Sequence, residues 1–207
     1  MGVRFDQSAR IVLENAVRLI DDAANFEFEE HPTTSFYLIQ LAQEEASKAF
    51  LLGLVHRGVI PWNKHILRAC RDHKCKQLIL LAMDYVNPHE GDDIEAHIRK
   101  LVGQRYSDLP SKIADAIHLL RYEKIGRWQS RSTWIWAEDP KWDAEALSVA
   151  DGAMDSVKQD TIYVRLAGDG SIASTPSQVK VPAYSKQRES AERMIDVDLA
   201  ARIDRQA

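Results

Sequence analysis

TTSFYLIQLAQEEASKAFLLGLVHR, residues 33–57, decides the fold. Phe36, Leu38, Ile39, Leu41, Ala46, Phe50, Leu51, Leu52, Leu54 and Val55 leave this stretch apolar on most sides when it is wound at about 100° per residue. A helix that is apolar nearly all round belongs at the centre of a bundle, with other helices packed about it. His31-Pro32-Thr33-Thr34 punctuates the chain before it and a Thr offers an N-cap; Gly58 ends it.

Working outward, the flanking segments read as helices too. Ile11, Val12, Leu13, Ala16, Val17, Leu19, Ile20 and Ala23 recur at three- and four-residue steps, predicting a first helix over about 8–24. Pro61 and Trp62 open a third, about 63–85, closed by Asn87-Pro88. Asp92 and Ser107 or Asp108 can cap a fourth and a fifth, and Asp139-Pro140 predicts a sixth carrying Val149, Ala153 and Val157. The mode changes at Thr161, where a β-branched and aromatic run, the turn Gly168-Asp169-Gly170 and Ser171-Ile172-Ala173-Ser174 predict a short hairpin capping the bundle. A linker rich in Ser, Thr and Pro follows. Residues 185–205 then form a charged amphipathic helix with Ala191, Met194, Ile195, Leu199 and Ile203 as its seam, expected to dock on the bundle or on a dimer partner. The fold class is all-α: a helical bundle with a short C-terminal β-hairpin and an additional C-terminal helix. The expected domains are 1–177, helices plus hairpin, and 178–207, linker plus final helix.

Composition agrees. The chain has 207 residues, 45% hydrophobic and 28% charged, and no apolar run reaches the roughly 18 residues of a membrane span. Its 27 Lys and Arg against 31 Asp and Glu give a net charge of −4, so any nucleic-acid contact must come from a local patch. Residues 1–10 carry charge and lack the apolar core of a signal peptide, so the expected location is the cytoplasm. Cys70 and Cys75, five apart on one expected helix, point roughly 140° away from each other and read as reduced, partly buried thiols.

Some polar groups fall inside apolar stripes. On the second helix Glu45 lies among Leu38, Leu41, Ala42, Ala49 and Leu52, with Lys48 at the edge of that sector and Glu44 on the next strip round. On the third, His73 lies among Ile66, Ala69, Cys70, Leu80 and Leu81, with Lys76 beside it. A buried carboxylate without a partner is costly, so Glu45, Lys48, His73 and Lys76 are expected to meet between the two helices. Such a cluster can handle protons or hold a phosphate, or it can do no more than fix helix register. Metal binding is not expected: a di-iron bundle wants two Glu-x-x-His steps, and the nearest candidate is the solitary Asp115-x-x-His118. No phosphate loop, nucleophile elbow or dinucleotide fingerprint is present, and no cofactor is expected.

Glu44-Glu45-Ala46-Ser47-Lys48 followed by Asp72-His73-Lys74-Cys75-Lys76 resembles the AbiV family of abortive-infection proteins, with its Glu-Glu-x-x-Lys and His-x-x-Lys on successive helices. Asn15 and Asp21-Asp22-Ala23 are similar to the family's opening. Lys158-Gln159-Asp160-Thr161-Ile162-Tyr163-Val164, leading to Asp169-Gly170 and Pro176, resembles its late Lys-x-x-x-Leu-Tyr-Val segment. The likeness covers roughly residues 9–86 and 145–177; Ser47 stands where the family more usually has Gly.

The resemblance implies a HEPN-related helical domain from phage defence, acting on RNA or translation and commonly dimeric. The Arg-x(4–6)-His signature of HEPN ribonucleases fits Arg68-Ala-Cys-Arg-Asp-His73. It implies a metal-independent endoribonuclease in which His73 transfers the proton, Glu45 sets the imidazole tautomer, and Lys48, Lys76 and Arg68 stabilise the phosphorane. On a regular helix, however, Arg68 would lie about 140° from His73, so a distorted helix or a second subunit would be needed. Arg121, Arg127 and Arg131 interleaved with Tyr122, Trp128, Trp134 and Trp136 could stack bases and hold phosphates, or simply pack a core. The expected partners are a second copy of the chain, RNA, and a phage or host protein. The competing reading is a non-enzymatic interaction module in which the Glu/Lys/His cluster serves the architecture alone.

Overall fold

The computed structural model describes residues 4–26, 32–58, 60–86, 148–149, 151–182 and 184–203. The expected fourth and fifth helices, Asp115-x-x-His118, and the RNA-binding candidates Arg121, Arg127, Arg131 and Trp128 lie outside those residues.

The described part is a helical bundle with a two-stranded hairpin. Its elements are α1 (Phe5–Ala24), α2 (Thr33–His56), α3 (Lys64–Ala69), α4 (His73–Val86), α5 (Ala153–Asp160), β1 (Arg165–Leu166), β2 (Ile172–Ser174), a 3-10 turn (Pro176–Gln178) and α6 (Tyr184–Ile203). Helix α2 is central, packed against α1, α4, α5 and α6. The α1–α2 contact is the most extensive, and alanines make it close: Ala16 and Ala23 of α1 and Ala42, Ala46 and Ala49 of α2 are all fully buried. Small side chains let two helix axes approach, while Leu13, Leu19, Ile20 and Ile39 fill the space beside them. Ile11 and Val17, also in the expected apolar stripe of α1, are exposed.

Helix α6 docks on this same core. Ala191 and Ile195 are buried in it, with Met194 and Tyr184 packed against its edge. An amide seam runs alongside: Gln40 donates to Gln43 and to Gln187, and Gln43 donates to Ser190.

Four local expectations change. The single helix over 63–85 is two, because Asp72 caps a new start: its Oδ1 accepts the Cys75 backbone N–H at 2.9 Å, while the Arg68 carbonyl closes α3 by accepting from the N–H groups of Arg71 and Asp72. Asn63 caps α3 likewise through the Ile66 N–H. The late helix is interrupted at Gly152, whose φ of +90° is left-handed, and α5 starts after it. No Thr caps α2; Pro32 holds the cap position and Thr33 is the first helical residue, buried. The hairpin forms as expected, Leu166 opposite Ile172 and Arg165 opposite Ser174, with Asp169 Oδ1 bonded by the N–H and hydroxyl of Ser171 in its turn. It does not cap the bundle: Tyr163, Val164, Leu166 and Ile172 are exposed. No helix among the described residues is long and apolar enough to cross a membrane.

Candidate functional site

Glu44 organises the site. Its side chain is 2% exposed, enclosed where α2 meets α4 and α5. An ionised carboxylate offers about four lone-pair positions, and here four donors take them. His73 Nδ1 lies 2.6 Å and Lys76 Nζ 2.8 Å from Oε2; Lys158 Nζ lies 2.6 Å and Gln77 Nε2 3.3 Å from Oε1. Burial alone would push the carboxyl up, but hydrogen bonds from Lys158 and Lys76, together with their charges, outweigh it and hold Glu44 below the ordinary glutamate value. Asp155, one turn ahead of Lys158 on α5, adds a second acidic group 3.1 Å from its ammonium. Two carboxylates thus balance two lysines, the partly exposed Asp155 among them, which is what makes sealing the charges of Glu44, Lys76 and Lys158 tolerable.

His73 differs from its partners. Glu44, Lys76 and Lys158 are sealed, whereas the His73 side chain is 51% exposed. The first residue of α4, it stands at the mouth of the cluster with one nitrogen turned in. Nδ1 lies 2.6 Å from Glu44 Oε2 and 3.0 Å from the Lys158 ammonium; the shorter contact, to an ionised carboxylate, assigns the proton to Nδ1. Nε2 then carries the lone pair of the neutral ring and has no partner among the described residues. The arrangement is a buried carboxylate orienting an accessible imidazole, the geometry of a general base.

Glu44, His73 and Asp155 each bring a ligand-type atom to within 4.8 Å of the others, a spacing that could hold a metal ion. Lys158 Nζ, however, lies 2.6, 3.0 and 3.1 Å from one such atom of each. The chain supplies the cation at that point itself.

The structure brings together His73 and Lys76 from the expected set, but not Glu45 and Lys48. The two glutamates of Glu44-Glu45 diverge by about 100° around α2. Glu45 turns toward α1, where it pairs with Lys48 and accepts a hydrogen bond from Asn15 at 3.3 Å. The expected Glu45–His73 pairing is therefore corrected to Glu44–His73. The sector rule failed because α2 is covered on several sides, and the face toward α4, α5 and α6 is itself polar: Gln40, Gln43, Glu44 and Ser47 are all buried there. Ser47 completes that face, its hydroxyl donating to the Lys76 carbonyl at 2.7 Å. Arg68 is exposed near the end of α3, across the turn from His73, so the Arg-x4-His segment spans a helix–turn–helix junction and the angle of a regular helix does not apply.

Lys158 and Asp155 were missed. Lys158 heads the Lys-x-x-x-Ile-Tyr-Val segment, which was the available signal; nothing in the sequence marks Asp155. The two cysteines are free and buried, as expected, though on opposite sides of the α3–α4 turn. Burial pushes the Cys70 thiol up to about 11 and raises that of Cys75 further, so neither is a thiolate nucleophile.

Comparison with known proteins agrees with the motif order. No curated protein and no solved structure matches the chain. The HEPN_AbiV family model, described as AbiV, matches residues 7–196, from the first helix through the bundle and hairpin and well into α6. A match of that extent makes the chain a member of the HEPN-type AbiV family of abortive-infection proteins.

Proposed function

We propose that this protein acts in phage defence as a metal-independent endoribonuclease with His73 as its proton-transfer residue, working as a cytoplasmic homodimer. The observation that carries the reading is the half-exposed His73, held through Nδ1 by sealed Glu44, with Nε2 left unpartnered among the described residues. In RNA cleavage Nε2 takes the proton of a ribose 2′-hydroxyl. The 2′-oxygen then forms a bond to phosphorus, the bond from phosphorus to the 5′-oxygen breaks, and water protonates that oxygen as it leaves. The products are a 2′,3′-cyclic phosphate and a 5′-hydroxyl. Arg68, Arg71 and Lys74, which flank His73 in the chain, supply positive charge for the phosphate. Lys76 is buried on Glu44, so its charge acts through the carboxylate. Arg121, Arg127, Arg131 and Trp128 are proposed as RNA-binding residues.

The test incubates purified protein with end-labelled RNA in a chelator. Cleavage leaving cyclic-phosphate ends, lost in His73→Ala at unchanged thermal midpoint, supports the reading. Cleavage that survives His73→Ala refutes it. Light scattering at micromolar concentration tests the dimer.

One observation favours a second reading, an interaction module that binds a phage or host protein. The hairpin and the two residues before it leave Tyr163, Val164, Leu166 and Ile172 exposed, apolar side chains that a partner could cover. Loss of phage protection on Leu166→Thr with RNA cleavage intact would favour it.

A further inference from the structure

Helix α5 docks on the bundle in an unusual way. Of its eight residues only Lys158 is buried, while Val157, the apolar residue beside it, is 39% exposed. Thr161 closes the helix by donating its hydroxyl to the Lys158 carbonyl at 2.6 Å, and Gly152 opens it at a left-handed φ, with Lys74 of α4 lying across the position a Cβ would take. What α5 delivers to the bundle is therefore one ammonium group, at the point where Glu44 Oε1, His73 Nδ1 and Asp155 Oδ1 converge.

Taking His73 as the proton-transfer residue proposed above, we propose that Lys158 is its positioning residue: carried in on a separate short helix and steered by Asp155, its ammonium fixes the Glu44 carboxylate so that the opposite oxygen receives the His73 Nδ1–H. Three observations support this. First, Lys158 and His73 take different oxygens of one carboxylate, so the ion pair sets the plane in which the imidazole bond forms. Second, Lys158 is 4% exposed and out of reach of a substrate, so it acts on the ring, through Glu44 and through its own 3.0 Å approach to Nδ1, and not on the substrate. Third, Lys76 shares Oε2 with His73; without Lys158, Oε1 keeps only the longer 3.3 Å bond from Gln77, and the carboxylate can rotate toward Lys76 and away from the ring. The groups facing His73 are then Glu44 from α2, Lys76 from α4, and Lys158 and Asp155 from α5. The site is complete only with α5 in place, although its other members lie on α2 and α4.

The experiment is low-temperature proton NMR of the full chain, with RNA cleavage measured in parallel. A short imidazole-to-carboxylate bond gives a far-downfield Nδ1–H resonance, assigned by its loss in His73→Ala. The wild type is expected to show it and Lys158→Met to lose it while remaining folded, with kcat down about a hundredfold and KM little changed. Should Lys158→Met fail to fold, Asp155→Asn decides, because Asp155 is partly exposed and its loss only loosens the ammonium; faster exchange of the same proton is expected. A wild type without the resonance, or a resonance unmoved in both variants, overturns the proposal. A Lys158-dependent resonance in a protein that cleaves no RNA refutes the ribonuclease reading and keeps the positioning role. Cleavage with a resonance indifferent to Lys158 does the reverse.

Discussion

Glu44 Oε2 lies 2.6 Å from Nδ1 of His73, and this contact between neighbouring helices joins a sealed charge to an accessible ring. It separates two jobs that one residue cannot do together. The carboxylate must be out of water to orient strongly, and the imidazole must meet water or substrate to exchange a proton.

Removing the carboxylate tests the first job. Among the described residues, Glu44→Gln leaves Lys76 without its one counter-charge and Lys158 with Asp155 alone, so a loss of about 3 kcal/mol or more in urea denaturation is expected. Glu45→Gln, one residue on, touches a partly exposed pair with Lys48 and a long hydrogen bond from Asn15, and is expected to cost less than about 1 kcal/mol. Equal costs would contradict the assignment of Glu44 as the buried member.

The same carboxylate predicts an acid limb. Its folded pKa is depressed by Lys158 and Lys76 against the opposing effect of burial, so it contributes stability that is present above the unfolded value of 4.5 and lost as pH falls through the folded one. The midpoint of urea unfolding should drop below pH 4.5 in the wild type. In Glu44→Gln that part of the slope should be missing.

Ser47 is fully buried on the polar face of α2, and its hydroxyl bonds the Lys76 carbonyl. Ser47→Ala is expected to cost about 1 kcal/mol for that bond. Ser47→Val should cost more, about 1–3 kcal/mol, because added methyl groups must push the neighbouring backbone. Chemical denaturation of the pair gives the order, and a milder Ser47→Val would show that there is spare room.

Gly152 combines a φ of +90° with Lys74 atoms 2.9–3.0 Å from a built Cβ. Gly152→Ala should destabilise by about 1–2 kcal/mol, mostly from the backbone, since the end of a lysine side chain can move aside. Adding Lys74→Ala should therefore recover less than half of the loss. Full recovery in the double variant would place the cost in the side-chain clash.

Buried thiols give a kinetic check on the α3–α4 turn. With Cys70 raised to about 11 and Cys75 higher still, both should resist a thiol reagent at pH 8 in the native state and both should react once the chain is unfolded. A fast native phase would mean that the turn opens.

How much of this was legible varies by element. The helical class, the central place of residues 33–57 and the hairpin turn follow from periodicity and turn chemistry, which act over a few residues. The start of α4 at His73 was legible too, in Asp72 as a capping residue, but continuous apolar spacing across 66–81 masked it. His73 and Lys76 were found because a polar residue in an apolar stripe is locally anomalous. Glu44 was passed over in favour of Glu45 because the face that buries it is polar in sequence and becomes interior only by being covered.

The sequence by itself determined which segments are helices and that titratable groups would be carried into the bundle, since a helix wheel depends on the chain's own pitch. Only the tertiary structure decided which of two adjacent glutamates is sealed and which lysine answers it. Lys158 is 114 residues from Glu44 along the chain, and no local rule couples them. Their pairing follows from how α5 lies against α2 and α4, where a buried charge must find its opposite or not be buried at all.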